Sequence, residues 1–343
     1  MALWSDIVSP VLATAYARLA MQEYEQQNGT LARYLPNVAV DGNYVEFWTD
    51  GDQLVREADY RAFNAPPEIG SGPAGQKQVI TLPAISRNEP IDEKTQMALR
   101  RLPDDRVQKS IFAAIRRNVW ATCDTNERAR GMVIDAGAVV VSAGNFSIND
   151  NFGRNAALNV NAGAAGYWSD ATVDRLMQLM TWSDLYATHN QGRRPARMLL
   201  GREAWAAFAK GDQFATLLGN GATVPPTRDA VVGQISQNGL PTPDFYDRST
   251  RAGRVLSPKK IYLLPEAGAT ESDEASPLGA TYYGETLTAL AEGFDFEPAE
   301  TPGIVVGVYK EERIPYTVEV MSDAITEPVA HNANAAMAIQ VLA

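Results

Sequence analysis

A chain of 343 residues with 45% hydrophobic residues, 26 Gly and 20 Pro reads as a folded, loop-rich protein with room for two or more compact units, and that apolar content excludes general disorder. Its formal net charge of −11 opposes tight sequence-independent binding to nucleic acid, which rests on neutralising phosphates. One cysteine, Cys123, excludes an intrachain disulfide, and two histidines far apart, His189 and His331, exclude a dense zinc-ligand pattern.

The start, MALWSDIVSPVLATAY, has no cationic leader before an apolar core. No run approaches the roughly 18 uninterrupted apolar residues of a membrane span, so a soluble, unexported chain without membrane contact is expected. Residues 3 to 27 are helix-prone. Leu3, Ile7, Val11, Tyr16, Leu19 and Ala20 give a rough apolar stripe, and Pro10 predicts a kinked or two-part arm.

Residues 36 to 91 change character. Val38, Val40, Tyr44, Val45, Phe47 and Trp48 are β-rich, with Asp-Gly turn signals at 41–42 and 50–51. Gln76 to Pro83 is a second strand-like run, and between the two lies a Pro- and Gly-rich stretch with no visible core. The pattern predicts a long hairpin projecting from the body; an isolated two-stranded ribbon is barely stable in water, so it needs a partner surface.

From Asp104 to Gly131 the pattern is helical. Val107, Ile111, Ile115 and Val119 recur every fourth position, whereas Arg106, Lys109, Arg116, Arg117 and Glu127 fall on the other face. Pro103 stops upstream structure, Asp104 or Asp105 can cap, Gln108 completes a capping box with Asp105, and Gly131 is a natural stop. At about 1.5 Å per residue this is a rod of roughly 40 Å, long enough to act as a spine.

Ala138 to Ile148 reads as strands around a turn at Gly144 and Asn145, and 149 to 167 as loop plus a short strand. Thr172 to Thr188 is helical with Asp170 near its start; Pro195 to Gly201 suits a buried strand, and Glu203 to Lys210 and Gln213 to Leu218 short helices. This alternation suggests a separate α/β unit. Lys260 to Pro265 is a strand, and Glu266 to Ser276 an acidic loop. The runs 303 to 310, 316 to 321 and 336 to 342 are β-like, interrupted by Pro315 and Pro328.

The search for chemistry returns negatives. Gly70 to Gly75 formally satisfies GxGxxG, but Pro73 lies inside it and a strand follows where a dinucleotide cradle needs a helix. GxxxxGK[ST], HExxH and GxSxG are absent. Asp50 and Asp52, or Asn149 to Asn151, lack the spacing of a calcium loop and read as turn residues. His189 follows a helix, which suits a surface or cap role, and Arg193, Arg194 and Arg197 read as a solvated loop that could also meet an acidic partner. No catalytic residue, cofactor or metal is expected.

One stretch carries a resemblance. Arg61 to Ile69, RAFNAPPEI, is followed by a glycine-rich tip, by Leu82 to Glu93, LPAISRNEPIDE, and then by the long helix. In that order it resembles the major capsid proteins of tailed phages in the lambda coat protein (capsid protein E) group, most sharply from about Tyr60 to Val141. The resemblance implies the α+β Hong Kong ninety-seven capsid fold. In segments it implies an N-terminal arm (1–35), an extended E-loop hairpin with its flanks (36–91), and a P-domain (92–168) with spine helix 104–131. An A-domain (169–310) and C-terminal strands returning to the P-domain (311–343) would follow. It further implies a structural protein, not an enzyme, that self-assembles as hexamers and pentamers into an icosahedral head enclosing DNA without specific binding. Such a shell is made in the host bacterial cytoplasm and resides in the virion, with scaffold, portal and decoration proteins as further candidate partners; no scaffold-like domain precedes the coat region, so a scaffold would be a separate chain. Phe63, Pro66, Pro67, Ile69, Lys77, Arg193 and Arg194 are the candidate inter-subunit contacts. Lys77 is the only lysine of the loop, and with no partner asparagine identifiable, self-crosslinking is not expected. The alternatives are an encapsulin-type nanocompartment shell, which would share the fold, and a hydrolase whose scattered carboxylates meet only in space.

Overall fold

The computed structural model describes residues 2–3, 8–49, 60–61, 63, 76–99, 104–144, 146–214, 227–269, 275–294, 296, 302–311, 313–314 and 316–343. The chain opens with a short strand β1 (Ala2–Leu3) and one helix α1 (Pro10–Gln27). Pro10 does not interrupt this helix as expected; it starts it. Ser9 is the N-cap, its hydroxyl accepting from Leu12 N at 3.3 Å, and proline at the first helical position forfeits no intrahelical bond. The buried face is Ala13, Ala17, Ala20, Met21 and Tyr24, whereas Val11 and Leu19 of the expected stripe are exposed.

β2 (Asn37–Ala39) leads to a two-stranded ribbon, β3 (Tyr44–Thr49) paired antiparallel with β4 (Gln76–Thr81). β5 (Ala84–Ile91) and α2 (Glu93–Leu99) precede the spine, α3 (Asp104–Ala136). Ile111, Ile115, Val119 and Cys123 are all buried against α1 and the sheet, so the four-residue phase read from sequence is the buried one. The spine runs five residues past its expected end. Gly131 is an interior close-packing residue, where a Cβ would meet Val255 Cγ1 at 2.6 Å; Gly137, at φ +69°, ends the helix in the left-handed conformation. Side-chain capping by Asp104 and Asp105 lies outside the described residues.

A hairpin follows, β6 (Ala138–Ala143) with β7 (Phe146–Asn151), turning at Gly144. Beyond β8 (Asn159–Asn161), α4 (Arg175–Thr188) is capped by Asp174, not Asp170; the Asp170 carboxylate binds the Thr172 amide and hydroxyl. Then come β9 (Arg197–Leu200), α5 (Arg202–Ala209), α6 (Arg228–Gln237), β10 (Thr242–Phe245), a two-residue ribbon β11 (Ser249–Thr250) with β12 (Gly253–Arg254), and β13 (Lys260–Leu264). The chain closes through β14 (Gly279–Gly284), β15 (Val305–Lys310), β16 (Val318–Ala330) and β17 (Met337–Gln340).

Two sheets organise these strands. The first has the order β1-β15-β16-β14-β2, with β5 on β16; the second has the order β10-β9-β13-β17-β8. The segment boundary expected at residue 310 does not follow them: β14 and β15 lie in the first sheet, and the C-terminal β17 lies in the second. Pro328, expected to break a strand, sits within β16. Thr326 N donates to Pro83 O at 3.0 Å along the edge shared with β5, and that strand begins at Ala84. Two residues on, Pro328 faces the same edge past the start of β5, where no donor is required. One core lies between α1, α3 and the first sheet, a second around β9, β13 and β17 with α4, α5 and α6, and a third beneath the two hairpins. Among the described residues no helix is long and apolar enough to cross a membrane.

Candidate assembly surfaces

Alternation along the ribbon makes one face of it bury and the other meet solvent. Val45, Phe47 and Ile80 are buried in the core shared with Leu82, Phe152 and Tyr282, so the base of the ribbon is supported by its own subunit and is not the unsupported arm expected. Its outer face carries Tyr44 and Val79, more than half exposed, together with Lys77 bound to Glu46 at 2.6 Å. An exposed pair of this kind contributes under about 1 kcal/mol. Tyr60 and Phe63, from the segment between the strands, are fully exposed. Pro66, Pro67 and Ile69 lie outside the described residues.

The spine presents a second surface. Beside its buried stripe, a groove of about 400 Å³ is lined by Tyr16, Lys109, Phe112, Arg116, Arg117 and Trp120. Tyr16 and Phe112 pack at 4.6 Å between ring centroids, and the Arg116 guanidinium lies 4.7 Å from the Trp120 ring. Arg117 is bound to Glu89 of β5, 3.0 Å from Nε. Arg193 and Arg194 follow α4; Arg194 pairs with Asp184 at 2.9 Å, both side chains well exposed. Among the described residues no contact joins Arg193 or Arg194 to Phe63 or Lys77.

What sequence reading missed is a buried ionic node. Glu127, expected on the solvent face of the spine, is fully buried, as is Arg130 three residues on. Arg130 donates to Thr281 Oγ1 at 2.8 Å, to Glu25 at 2.9 Å and to Asn37 Oδ1, while Glu127 accepts from Leu31 N at 3.0 Å and from the Tyr246 hydroxyl. Burial disfavours the Arg130 charge, but Glu25 and Glu127 outweigh it and hold the guanidinium firmly protonated. The node ties α1, the spine, β2 and β14 together. Residues 124–130, DTNERAR, are the polar part of the spine, so an i,i+3 Glu-Arg pair there carries no local sign of burial.

Reactive chemistry is sparse. Among the described residues no group of three or more His, Cys, Asp or Glu is placed to hold a metal. His189 is the C-cap of α4, as its position suggested. Burial pushes the Cys123 thiol far up, away from a nucleophilic thiolate.

A family model, phage major capsid protein E, matches residues 22–267, more than two thirds of the chain. The chain belongs to that family. This capsid protein is accordingly a structural subunit of a virion head shell, and the family points to a non-enzymatic role. No curated protein matches it. Among solved structures, it is similar to a putative capsid protein of a prophage of E. coli CFT073, at 16% identity over 96% of this chain and 97% of that one, with a TM-score of 0.62. It is also similar to a phage-related protein from Bordetella bronchiseptica RB50, at 14% identity over 98% of each chain, with a TM-score of 0.56. At those identities the likeness establishes the α+β capsid fold.

Proposed function

We propose that this capsid protein closes its shell by laying the segment between β3 and β4 over a neighbouring copy, while the unit around the second sheet, with Arg193 and Arg194, meets its counterparts near capsomer centres. The observation that carries this reading is the division of the ribbon. Its base is anchored by Val45, Phe47 and Ile80 within the subunit, and beyond the strands Tyr60 and Phe63 have no cover from it. Exposed aromatics on a projecting element can leave water by contacting another copy. Each such contact is modest, and repetition through hexamers and pentamers makes the closed shell hard to dismantle. The net charge of −11 suits a wall that encloses DNA without gripping it. No catalytic step is required, and scaffold, portal and decoration proteins are the further partners such a shell would use.

The test is to replace residues 63–75 with a short Gly-Ser linker. The anchoring residues lie outside the replaced segment, so the subunit should melt close to wild type, but negative-stain microscopy should find no closed particles or only fragile ones. Robust particles from this variant would refute the proposed contact.

A further inference from the structure

Glu327 stands out among the buried groups. On β16, Ile325 and Val329 pack into the core beneath the two hairpins, and Glu327 lies between them on the same face. Its cross-strand partner on β14 is Tyr282, a member of that core. Glu327 is 1% exposed, and neither carboxylate oxygen has a hydrogen-bond donor among the described residues. A buried acceptor left without a donor costs free energy, so a native structure that keeps one calls for a missing partner.

The group facing it is Asp150. On β7, Ile148 and Asp150 are half-buried while Ser147, Asn149 and Asn151 are exposed, and Ile148 and Phe152 pack on the same core. Asp150 therefore faces the core that holds Glu327, and its carboxyl is one of the groups that raise the Glu327 acid. Two ionised carboxylates only accept; one proton between them turns repulsion into a hydrogen bond. The neighbouring polar groups do not supply a cation. His331 Nε2 is hydrogen-bonded with the Tyr282 hydroxyl at 2.8 Å and stacked on Phe47 at 5.3 Å, and burial holds the imidazole toward its neutral form. Arg154 is engaged by the carbonyls of Val133, Asp135 and Ala333, and Lys77 and Glu46 pair on the outer face of the ribbon. A third metal-ligating side chain is not present among the described residues.

We propose that Glu327 and Asp150 form a proton-binding site, in which one proton held by Glu327 and shared with Asp150 latches the β6–β7 hairpin to β16 beneath the base of the ribbon. Loss of that proton leaves two facing carboxylates in an apolar layer and drives the hairpin from the sheet. The site belongs to the single subunit and stands whether or not the ribbon reaches a neighbour. Burial, and then the Asp150 charge, push the Glu327 acid from 4.5 up to about 8. Because the folded value lies above the unfolded one, the stabilisation is complete below the unfolded value. The unfolding equilibrium then rises about tenfold per pH unit until the folded value is passed, and levels off above it.

The full-length chain would be unfolded in guanidinium between pH 5 and 9 as wild type, Glu327→Gln and Asp150→Asn, with infrared spectroscopy of the carboxyl C=O stretch in parallel. Glutamine keeps a donor toward Asp150, so the ratio of wild-type to Glu327→Gln unfolding constants should climb about tenfold per pH unit up to about pH 8 and then flatten. The comparison at matched pH cancels His331. Asp150→Asn should lower the pH at which the climb ends. A protonated-carboxyl band should be present in the wild type at pH 7 and disappear above about 8, absent from Glu327→Gln. If that variant does not fold, the wild-type band alone decides. A flat ratio, or no protonated carboxyl at pH 7, overturns the proposal. So does a wild type whose stability rises with pH and with added calcium while that of Glu327→Gln does not, which would make the pair a cation site.

Discussion

Replacing Arg130 with leucine removes the cation from the centre of the buried node while keeping comparable bulk. Thr281 Oγ1, Glu25 Oε1 and Asn37 Oδ1 lose a donor at once, and both Glu25 and Glu127 lie within 2% of full burial. Among the described residues the Glu25 carboxylate retains only Asn37 Nδ2 at 2.7 Å, whereas Glu127 keeps Leu31 N, the Tyr246 hydroxyl and Arg248 at 3.9 Å. Breaking a buried pair by deleting one partner costs about 3–5 kcal/mol, because the abandoned charge cannot recover its water. Against a domain stability of about 5–15 kcal/mol, that is a large share. Guanidinium unfolding of the dissociated subunit, followed by tryptophan fluorescence, would measure it. Arg130→Lys should lose less, since the charge persists but the planar fork that serves several partners does not. A buried carboxylate without its cation takes up a proton more readily, so the deficit of Arg130→Leu should narrow as pH falls from 7 to 5. A loss below about 1 kcal/mol, or a deficit that widens on acidification, would show that the node is not the buried electrostatic centre described.

Ile115→Asp should destabilise by several kcal/mol, because Ile115 is 0% exposed in the apolar core against α1, while Arg117→Ala, which breaks a partly exposed pair with Glu89, should cost about 1 kcal/mol or less by thermal unfolding. Gly131→Ala places a Cβ 2.9 Å from the Val255 carbonyl oxygen, and backbone cannot give way as a side chain can; overpacking of about 1–3 kcal/mol should outweigh the roughly 1 kcal/mol gained in helix propensity, and a variant more stable than wild type would contradict this packing. Cys123→Ser should assemble normally by microscopy with a modest loss of stability, and native Cys123 should react slowly with iodoacetamide, since burial raises its thiol; rapid alkylation of the folded protein would contradict its placement.

The sequence by itself determined the elements whose signal is local. The four-residue spacing of Ile111, Ile115 and Val119 marked the buried face of the spine, and alternation and turn residues marked the strands of both hairpins, with Gly144 at positive φ in the turn of the second and Gly42 at positive φ in the turn between β2 and β3. The resemblance carried by residues 60 to 141 supplied the family and hence the fold. Proline and glycine were misread where their meaning depends on neighbours. Pro10 starts a helix because Ser9 caps it; Gly131 lies inside one because Val255 crosses there; Pro328 continues a strand because it lies beyond the edge shared with β5, where no donor is required. A residue's type states which conformations it permits, and the packing around it selects among them. The same holds for charge. Nothing local distinguishes Glu127, Arg130 and Glu327 from solvated helix and strand residues. Only the tertiary structure, by bringing Glu25, Asn37 and Thr281 around one side chain and Asp150 opposite another, removed the water and made partners decide their energies.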